Sequence, residues 1–214
     1  MVYICPDTYE ESEYASHFES YPFALSAFQK YAIEAIVKGN HVLVTAHTGS
    51  GKTLPAEFAI KHFTSQNKKV IYTSPIKALS NQKFYEFTQK FPDISIGLFT
   101  GDIKTNPEAD VLIMTTEILQ NTLFNHIHSE NKESQMMFQM DFENELAAVV
   151  FDEVHYINDE DRGQVWEKCL VMLPEHVQKI MLSATIDNAF GFAQWCEQIH
   201  DSSNKCVYLS TTNH

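Results

Sequence analysis

The sequence has few cysteines, few basic residues and no long hydrophobic run, and each scarcity excludes a class of protein. The four cysteines form no C-x-x-C pair, which argues against a zinc site or a disulfide framework. No apolar stretch approaches the roughly 20 residues of a membrane span, and the first residues lack the basic and then apolar order of a signal peptide. We therefore expect a soluble intracellular protein without a membrane partner, in either cytoplasm or nucleus.

Basic residues are outnumbered by acidic ones. The 15 Lys and Arg residues against 28 Asp and Glu residues give a net charge of −13. Such a surface, taken as a whole, repels nucleic acids and anionic membranes. Any binding of nucleic acid must therefore be local and use a few residues.

Short, continuous apolar runs alternate with stretches of helical length that carry an apolar stripe. Continuous rather than alternating hydrophobicity is typical of strands covered on both faces, as in parallel sheets. The sequence thus predicts an α/β fold, with a mostly parallel sheet and helices on both faces. The predicted strands are 41–46, 70–73, 94–99, 111–115, 147–151, 180–183 and 206–209. The predicted helices are 55–63, 77–87, 117–124, 163–173 and 190–198.

The segment TAHTGSGKT, residues 45–53, follows the first of these strands and precedes a helix. Its A-x-x-x-x-G-K-T form predicts a phosphate-binding loop, although Ala46 occupies the usual first glycine position. Backbone amides of such loops turn inward around phosphate oxygens. Lys52 is expected to reach the β- and γ-phosphates of a bound nucleotide, and the Thr53 hydroxyl to hold Mg²⁺. The nucleotide-binding residues predicted here are Thr48, Gly49, Ser50, Gly51, Lys52 and Thr53.

A second segment, FDEVH at 151–155, places two consecutive carboxylates at the end of an apolar strand. Asp152 can bind Mg²⁺ directly or through water, and Glu153 can polarise the water that attacks the γ-phosphate. We therefore predict that Lys52, Asp152 and Glu153 are catalytic, and that Thr53 and Asp152 share the metal.

Six motifs together resemble the first RecA-like domain of DExH-box helicases, and within that family the superkiller-type RNA helicases. They are TAHTGSGKT, YTSPIKALSNQKF, LFTGD, TTEIL, FDEVHYINDEDRGQVWE and LSAT, in this order along the chain. The resemblance implies a RecA-like P-loop NTPase fold, ATP and Mg²⁺ as cofactors, RNA as substrate and exosome-type partners. It also implies an ATP hydrolase that translocates on RNA.

The resemblance assigns further residues to nucleotide binding and coupling. Phe23 would stack on the adenine ring and Gln29 would read its edge, although an ordinary amphipathic helix with a surface glutamine explains Gln29 equally well. By the same resemblance, His155 is a further catalytic residue. It would contact the segment that contains Ser183 and Thr185, whose hydroxyls would couple the ATP state to domain movement.

The resemblance also implies an RNA-binding surface on loops that follow the strands. Backbone amides, hydroxyls and helix N-termini suit phosphate and carry no sequence information. A few such contacts reconcile the acidic composition with RNA binding. The residues implied are Ser74, Pro75, Lys77, Gly101, Asp102, Thr115 and Thr116.

Outside the motifs, residues 1–20 are expected to form a partly ordered arm, and 21–214 a single RecA-like domain. Residues 125–145 are polar and predict a long surface excursion. The chain ends at His214 without a Q-x-x-G-R-x-G-R motif, so we expect no second RecA-like domain and no arginine finger. Such an arginine is worth roughly 10³- to 10⁵-fold in rate, so this chain alone should hydrolyse ATP very slowly.

Three functions therefore remain open at this point. The leading hypothesis is the ATP-binding lobe of an ATP-dependent RNA helicase. The second is a docking module that binds RNA or protein in a nucleotide-dependent way without helicase activity. The third is a DNA-directed helicase of the same fold.

Overall fold

A computed structural model describes residues 1–10, 13–128, 140–158, 163–184, 186–199 and 205–211. Its strands are β1 (Tyr3–Ile4), β2 (His41–Thr45), β3 (Lys69–Ser74), β4 (Ile96–Phe99), β5 (Lys104–Thr105), β6 (Val111–Thr115), β7 (Leu146–Phe151), β8 (Gln178–Ser183) and β9 (Cys206–Ser210). Its α-helices are α1 (Ala15–Phe18), α2 (Ala27–Val37), α3 (Leu54–Thr64), α4 (Lys77–Lys90), α5 (Thr116–His128), α6 (Gly163–Met172) and α7 (Ala189–Gln198). A short 3₁₀ helix spans Val154–Asn158.

The nine strands form one sheet in the order β1-β9-β2-β8-β7-β3-β6-β4-β5. Every pairing is parallel except that between β4 and β5. All seven predicted strands are present, and the structure adds the short edge strands β1 and β5. The predicted α/β fold with a mostly parallel sheet is confirmed.

Helices cover both faces of the sheet because alternate residues of each strand belong to two different cores. Val42 and Val44 lie in the core that includes α2, α3 and α4. Leu43, between them, lies in the core that includes α5, α6 and α7. Burial on both faces is the reason that β2 is a continuous apolar run.

The first residues of the chain lie along α2 and β9. Tyr3 pairs with Val207 in the sheet, and the Tyr31 hydroxyl donates to the Thr8 carbonyl at 2.8 Å. The domain boundary at residue 20 stays a prediction.

The predicted excursion at 125–145 needs correction at both ends. Helix α5 continues to His128, beyond the predicted end at residue 124. Met140 and Phe142 are buried in the core beside α5 and α6. These residues pack because a polar stretch can still supply single apolar side chains to a core. Residues 129–139 lie outside the described part of the chain. Among the described residues, no helix is long and apolar enough to cross a membrane.

Candidate functional site

The two segments singled out in the sequence meet at the carboxyl edge of the sheet. Strand β2 leads into the loop at 46–53, and β7 leads into Asp152 and Glu153. Strand β8 lies between them, pairs with both in parallel and ends at Ser183. Carboxyl ends of adjacent parallel strands are where ligands bind in open α/β sheets.

The loop between β2 and α3 depends on two glycines. Gly49 and Gly51 have φ angles of +86° and +83°, in a backbone region that residues other than glycine rarely adopt. The Ser50 hydroxyl between them is buried and has no hydrogen-bond partner among the described residues. Ala46, at the first motif position, is fully buried and donates its amide to the Ser183 carbonyl at 3.0 Å. A methyl group at this position therefore lies in the core and does not obstruct the exposed part of the loop.

Lys52 joins this loop to the acidic segment. Its Nζ atom lies 3.7 Å from Oε1 of Glu153, with side chains that are 12% and 25% exposed. Thr53 follows directly and precedes the first residue of α3. The loop lysine and the carboxylates therefore belong to one site, although they are far apart in the sequence.

Asp152 is nearly enclosed, with 7% of its surface exposed. Its Oδ2 atom accepts a hydrogen bond from the Tyr72 hydroxyl at 2.5 Å, and its Oδ1 atom accepts one from the Glu153 amide at 2.9 Å. Burial and the neighbouring Asp152 carboxylate raise the pKa of Tyr72 well above its usual range. The phenol therefore stays protonated and donates.

Glu153 is held at the end of β7 in a left-handed backbone conformation with φ of +55°. Such strain in a non-glycine residue clusters at functional sites. Its Oε2 atom lies 3.3 Å from Nδ1 of His155, and the same nitrogen lies 3.5 Å from the Ser183 hydroxyl. The structure thus brings the four predicted catalytic residues together with Ser183. Thr185 lies outside the described residues.

The two residues predicted to bind adenine differ in burial, since Gln29 is buried and Phe23 is exposed. Gln29 is 93% buried and caps the start of α2, where its Oε1 atom accepts from the Ser26 amide at 3.0 Å. Its Nε2 atom donates to the Gly51 carbonyl at 3.2 Å. Phe23 is exposed and lies 5.8 Å from the Tyr21 ring. Gln29 therefore connects the helix to the phosphate loop, and its contact with adenine stays a prediction.

The predicted RNA-binding residues lie at the ends of three adjacent strands, β3, β6 and β4. Pro75 and Thr115 are half-buried, and Gly101 is exposed. Lys77 forms an exposed ion pair with Asp102. The side chains of Ser74 and Thr116 are buried, and the Ser74 hydroxyl donates to the Ile76 carbonyl at 2.9 Å. Their contacts with RNA stay predictions, and a contact by Ser74 or Thr116 would use backbone atoms.

Tyr72 is the site residue to which the sequence analysis gave no role. It lies within the motif YTSPIKALSNQKF and in the apolar strand predicted at 70–73. A phenol in a fully buried strand needs a hydrogen-bond partner. That requirement was the available signal, and the structure identifies the partner as Asp152.

The profile of DEAD/DEAH box helicases matches residues 26–190, which include both segments of the site. The chain belongs to this family. It is 47% identical over 193 residues to the antiviral helicase SKI2 of Saccharomyces cerevisiae, covering 90% of this chain and 14% of that protein. It is 49% identical over 190 residues to superkiller complex protein 2 of Mus musculus, covering 89% of this chain and 14% of that protein.

Exosome RNA helicase MTR4 of Homo sapiens is 45% identical over 190 residues, covering 89% of this chain and 17% of that protein. The resemblance to superkiller-type DExH-box helicases is confirmed. The chain spans less than a fifth of the length of these relatives. Among solved structures, the DUF1998 helicase MrfA bound to DNA has the same fold, with a TM-score of 0.70 at 20% identity over 96% of this chain and 30% of that chain.

Proposed function

We propose that this chain is the ATP-binding lobe of an ATP-dependent RNA helicase, which couples ATP hydrolysis to movement along RNA. The observation that carries the proposal is the convergence of Lys52, Glu153, His155 and Ser183 at one edge of the sheet. An ordinary surface turn would not place a loop lysine, two carboxylates and a histidine in one contact chain.

The residues at this edge fit a nucleotide with Mg²⁺. The Ser50 hydroxyl is buried and has no hydrogen-bond partner within the described part of the chain, and two left-handed glycines flank it. Both features suit a loop that wraps phosphate oxygens. Thr53 and Asp152 offer the oxygen ligands that Mg²⁺ prefers, and they would hold it. When bound, the ion neutralises charge that develops on the phosphates.

Each side chain then has a defined task. Lys52 would bind the phosphates, and binding would draw its ammonium away from Glu153. Glu153 would orient and polarise the attacking water. The contact between His155 and Ser183 would transmit the occupancy of the site to β8 and to the segment that follows it. Phe23 and Gln29 would bind the adenine.

RNA is favoured over DNA because relatives at 44–45% identity, among them MTR4 of Homo sapiens, are named as RNA helicases. The DNA-bound structural neighbour is only 20% identical and shows the fold alone. Strand ends of β3, β4 and β6 would bind the RNA backbone, and exosome-type assemblies are the proposed partners. A docking module without helicase activity is not favoured.

The binding step is tested with Lys52→Ala. The variant should lose binding of a fluorescent ATP analogue, because it removes the cation that faces the phosphates. The matched control is Lys61→Ala in the last turn of α3, about 10 Å along the helix from its first residue, Leu54, at 1.5 Å per residue. Unchanged nucleotide affinity in Lys52→Ala would contradict the proposal.

The hydrolysis and RNA steps need separate measurements. Glu153→Gln should keep nucleotide binding and abolish hydrolysis in an enzyme that contains a second RecA-like domain. Stimulation of ATPase activity by single-stranded RNA but not by DNA separates the two helicase hypotheses. Lys77→Ala should make the slope of log K for RNA binding against log salt concentration shallower by about 0.7, the contribution of one phosphate contact on a single strand.

A further inference from the structure

We propose that Tyr72 is a positioning residue, which holds the Asp152 carboxylate in the orientation that binds Mg²⁺ together with the nucleotide. This inference rests on the proposed function of Asp152. The Tyr72 hydroxyl would not touch the nucleotide and would act only through the carboxylate.

Two hydrogen bonds fix the rotation of the Asp152 carboxylate. Tyr72 donates to one oxygen at 2.5 Å, and the Glu153 amide donates to the other at 2.9 Å. The backbone is fixed as well, because the Asp152 amide donates to the Thr73 carbonyl at 2.9 Å. An ionised carboxylate has about four acceptor positions. Two therefore remain for a metal ion or for the water molecules that it carries.

Tyr72 is itself immobile. It is fully buried within β3, which pairs with β7 at the register Tyr72↔Val150. Its ring packs edge-on against Phe87 of α4, with ring centroids 5.2 Å apart. A phenol held between the sheet and a helix can determine the position of the carboxylate more firmly than a solvent-exposed donor could.

Positioning partners of metal ligands have a characteristic effect. Removing one typically costs 10- to 100-fold in metal affinity, because the ligand loses its orientation while its charge remains. Tyr72→Phe removes a single oxygen and retains the ring that packs on Phe87. We therefore expect the Mg²⁺ concentration that gives half-maximal enhancement of nucleotide binding to rise about 10-fold.

The experiment measures binding of a fluorescent ADP analogue to the 214-residue chain across a series of Mg²⁺ concentrations and in EDTA. Tyr72→Phe should raise the Mg²⁺ midpoint and leave the affinity in EDTA unchanged. The matched control is Tyr208→Phe, which also removes a buried hydroxyl contact, with Thr45 at 3.1 Å. This control should keep the wild-type Mg²⁺ midpoint.

A double-mutant cycle separates positioning from a general structural effect. Asp152→Asn should raise the midpoint by itself, and adding Tyr72→Phe should change it no further. A second variant, Phe87→Leu, keeps the hydroxyl but loosens the ring, and should shift the midpoint in the same direction by a smaller factor.

The outcomes distinguish the two levels of inference. Wild-type protein that binds nucleotide without any effect of Mg²⁺ would overturn the proposed metal site and the role of Tyr72 with it. A clear Mg²⁺ effect in the wild type with the same midpoint in Tyr72→Phe would overturn only the role of Tyr72. If Tyr72→Phe weakened nucleotide binding equally in EDTA and in Mg²⁺, that result would also overturn the role of Tyr72.

Discussion

Two glycines with nearly the same backbone angle should respond differently to alanine. Gly49 and Gly51 have φ angles of +86° and +83°, so an alanine at either position is strained by about 1–2 kcal/mol. A Cβ atom at Gly49 would meet nothing within 4 Å, whereas one at Gly51 would lie 2.4 Å from Nε2 of Gln29. Only Gly51→Ala must therefore displace a neighbour.

The displaced neighbour determines the difference between the variants. Moving the Gln29 amide breaks its hydrogen bond to the Gly51 carbonyl. A buried polar group that loses its partner costs about 1–3 kcal/mol. We expect Gly49→Ala to lower the free energy of unfolding by about 1–2 kcal/mol, and Gly51→Ala by about 2–5 kcal/mol when the two costs are combined.

Urea denaturation followed by circular dichroism measures both values. The control is Gln29→Ala, in which the neighbour is absent before the glycine is changed. In the Gln29→Ala background, Gly51→Ala should lower the free energy of unfolding by no more than Gly49→Ala does. Equal destabilisation of the two glycine variants in the wild-type background, or an excess cost that persists in the Gln29→Ala background, would refute the reasoning.

Two further predictions concern buried side chains away from the loop. Burial lowers the pKa of the fully enclosed Lys179 to about 8, so Lys179→Met should raise the free energy of unfolding at pH 7 by about 3 kcal/mol. Between pH 8 and 10.5 the unfolded chain binds more protons than the folded one, so the free energy of unfolding of the wild type rises with pH. The stability difference between Lys179→Met and the wild type should therefore shrink across that window. Urea denaturation at pH 7 and pH 10 measures this difference, and an equal difference at both pH values would contradict the prediction. Trp166 is buried and its ring lies 5.2 Å from that of Phe151, so Trp166→Ala should lower the free energy of unfolding by about 3–5 kcal/mol. The same assay measures it, and a loss below about 1 kcal/mol would contradict the expected contribution of the ring.

Local sequence was enough for the strands and for the phosphate loop. Burial on both faces favours apolar residues at successive positions of a strand, and the run Val42, Leu43 and Val44 in β2 can be recognised without a structure. Left-handed positions favour glycine, so Gly49 and Gly51 indicate the turn without a structure. The excursion at 125–145 was misjudged because polar composition does not reveal that Phe142 enters the core.

Only the tertiary structure decided which strand ends are neighbours. The order β2-β8-β7 brings Lys52 to Glu153, and the adjacency of β7 and β3 brings Tyr72 to Asp152. Strand order arises from pairings between distant segments, and the periodicity within one segment contains no information about its partner. The sequence by itself thus determined the chemistry of the side chains at the carboxyl edge, and the packing of the sheet determined which of them touch.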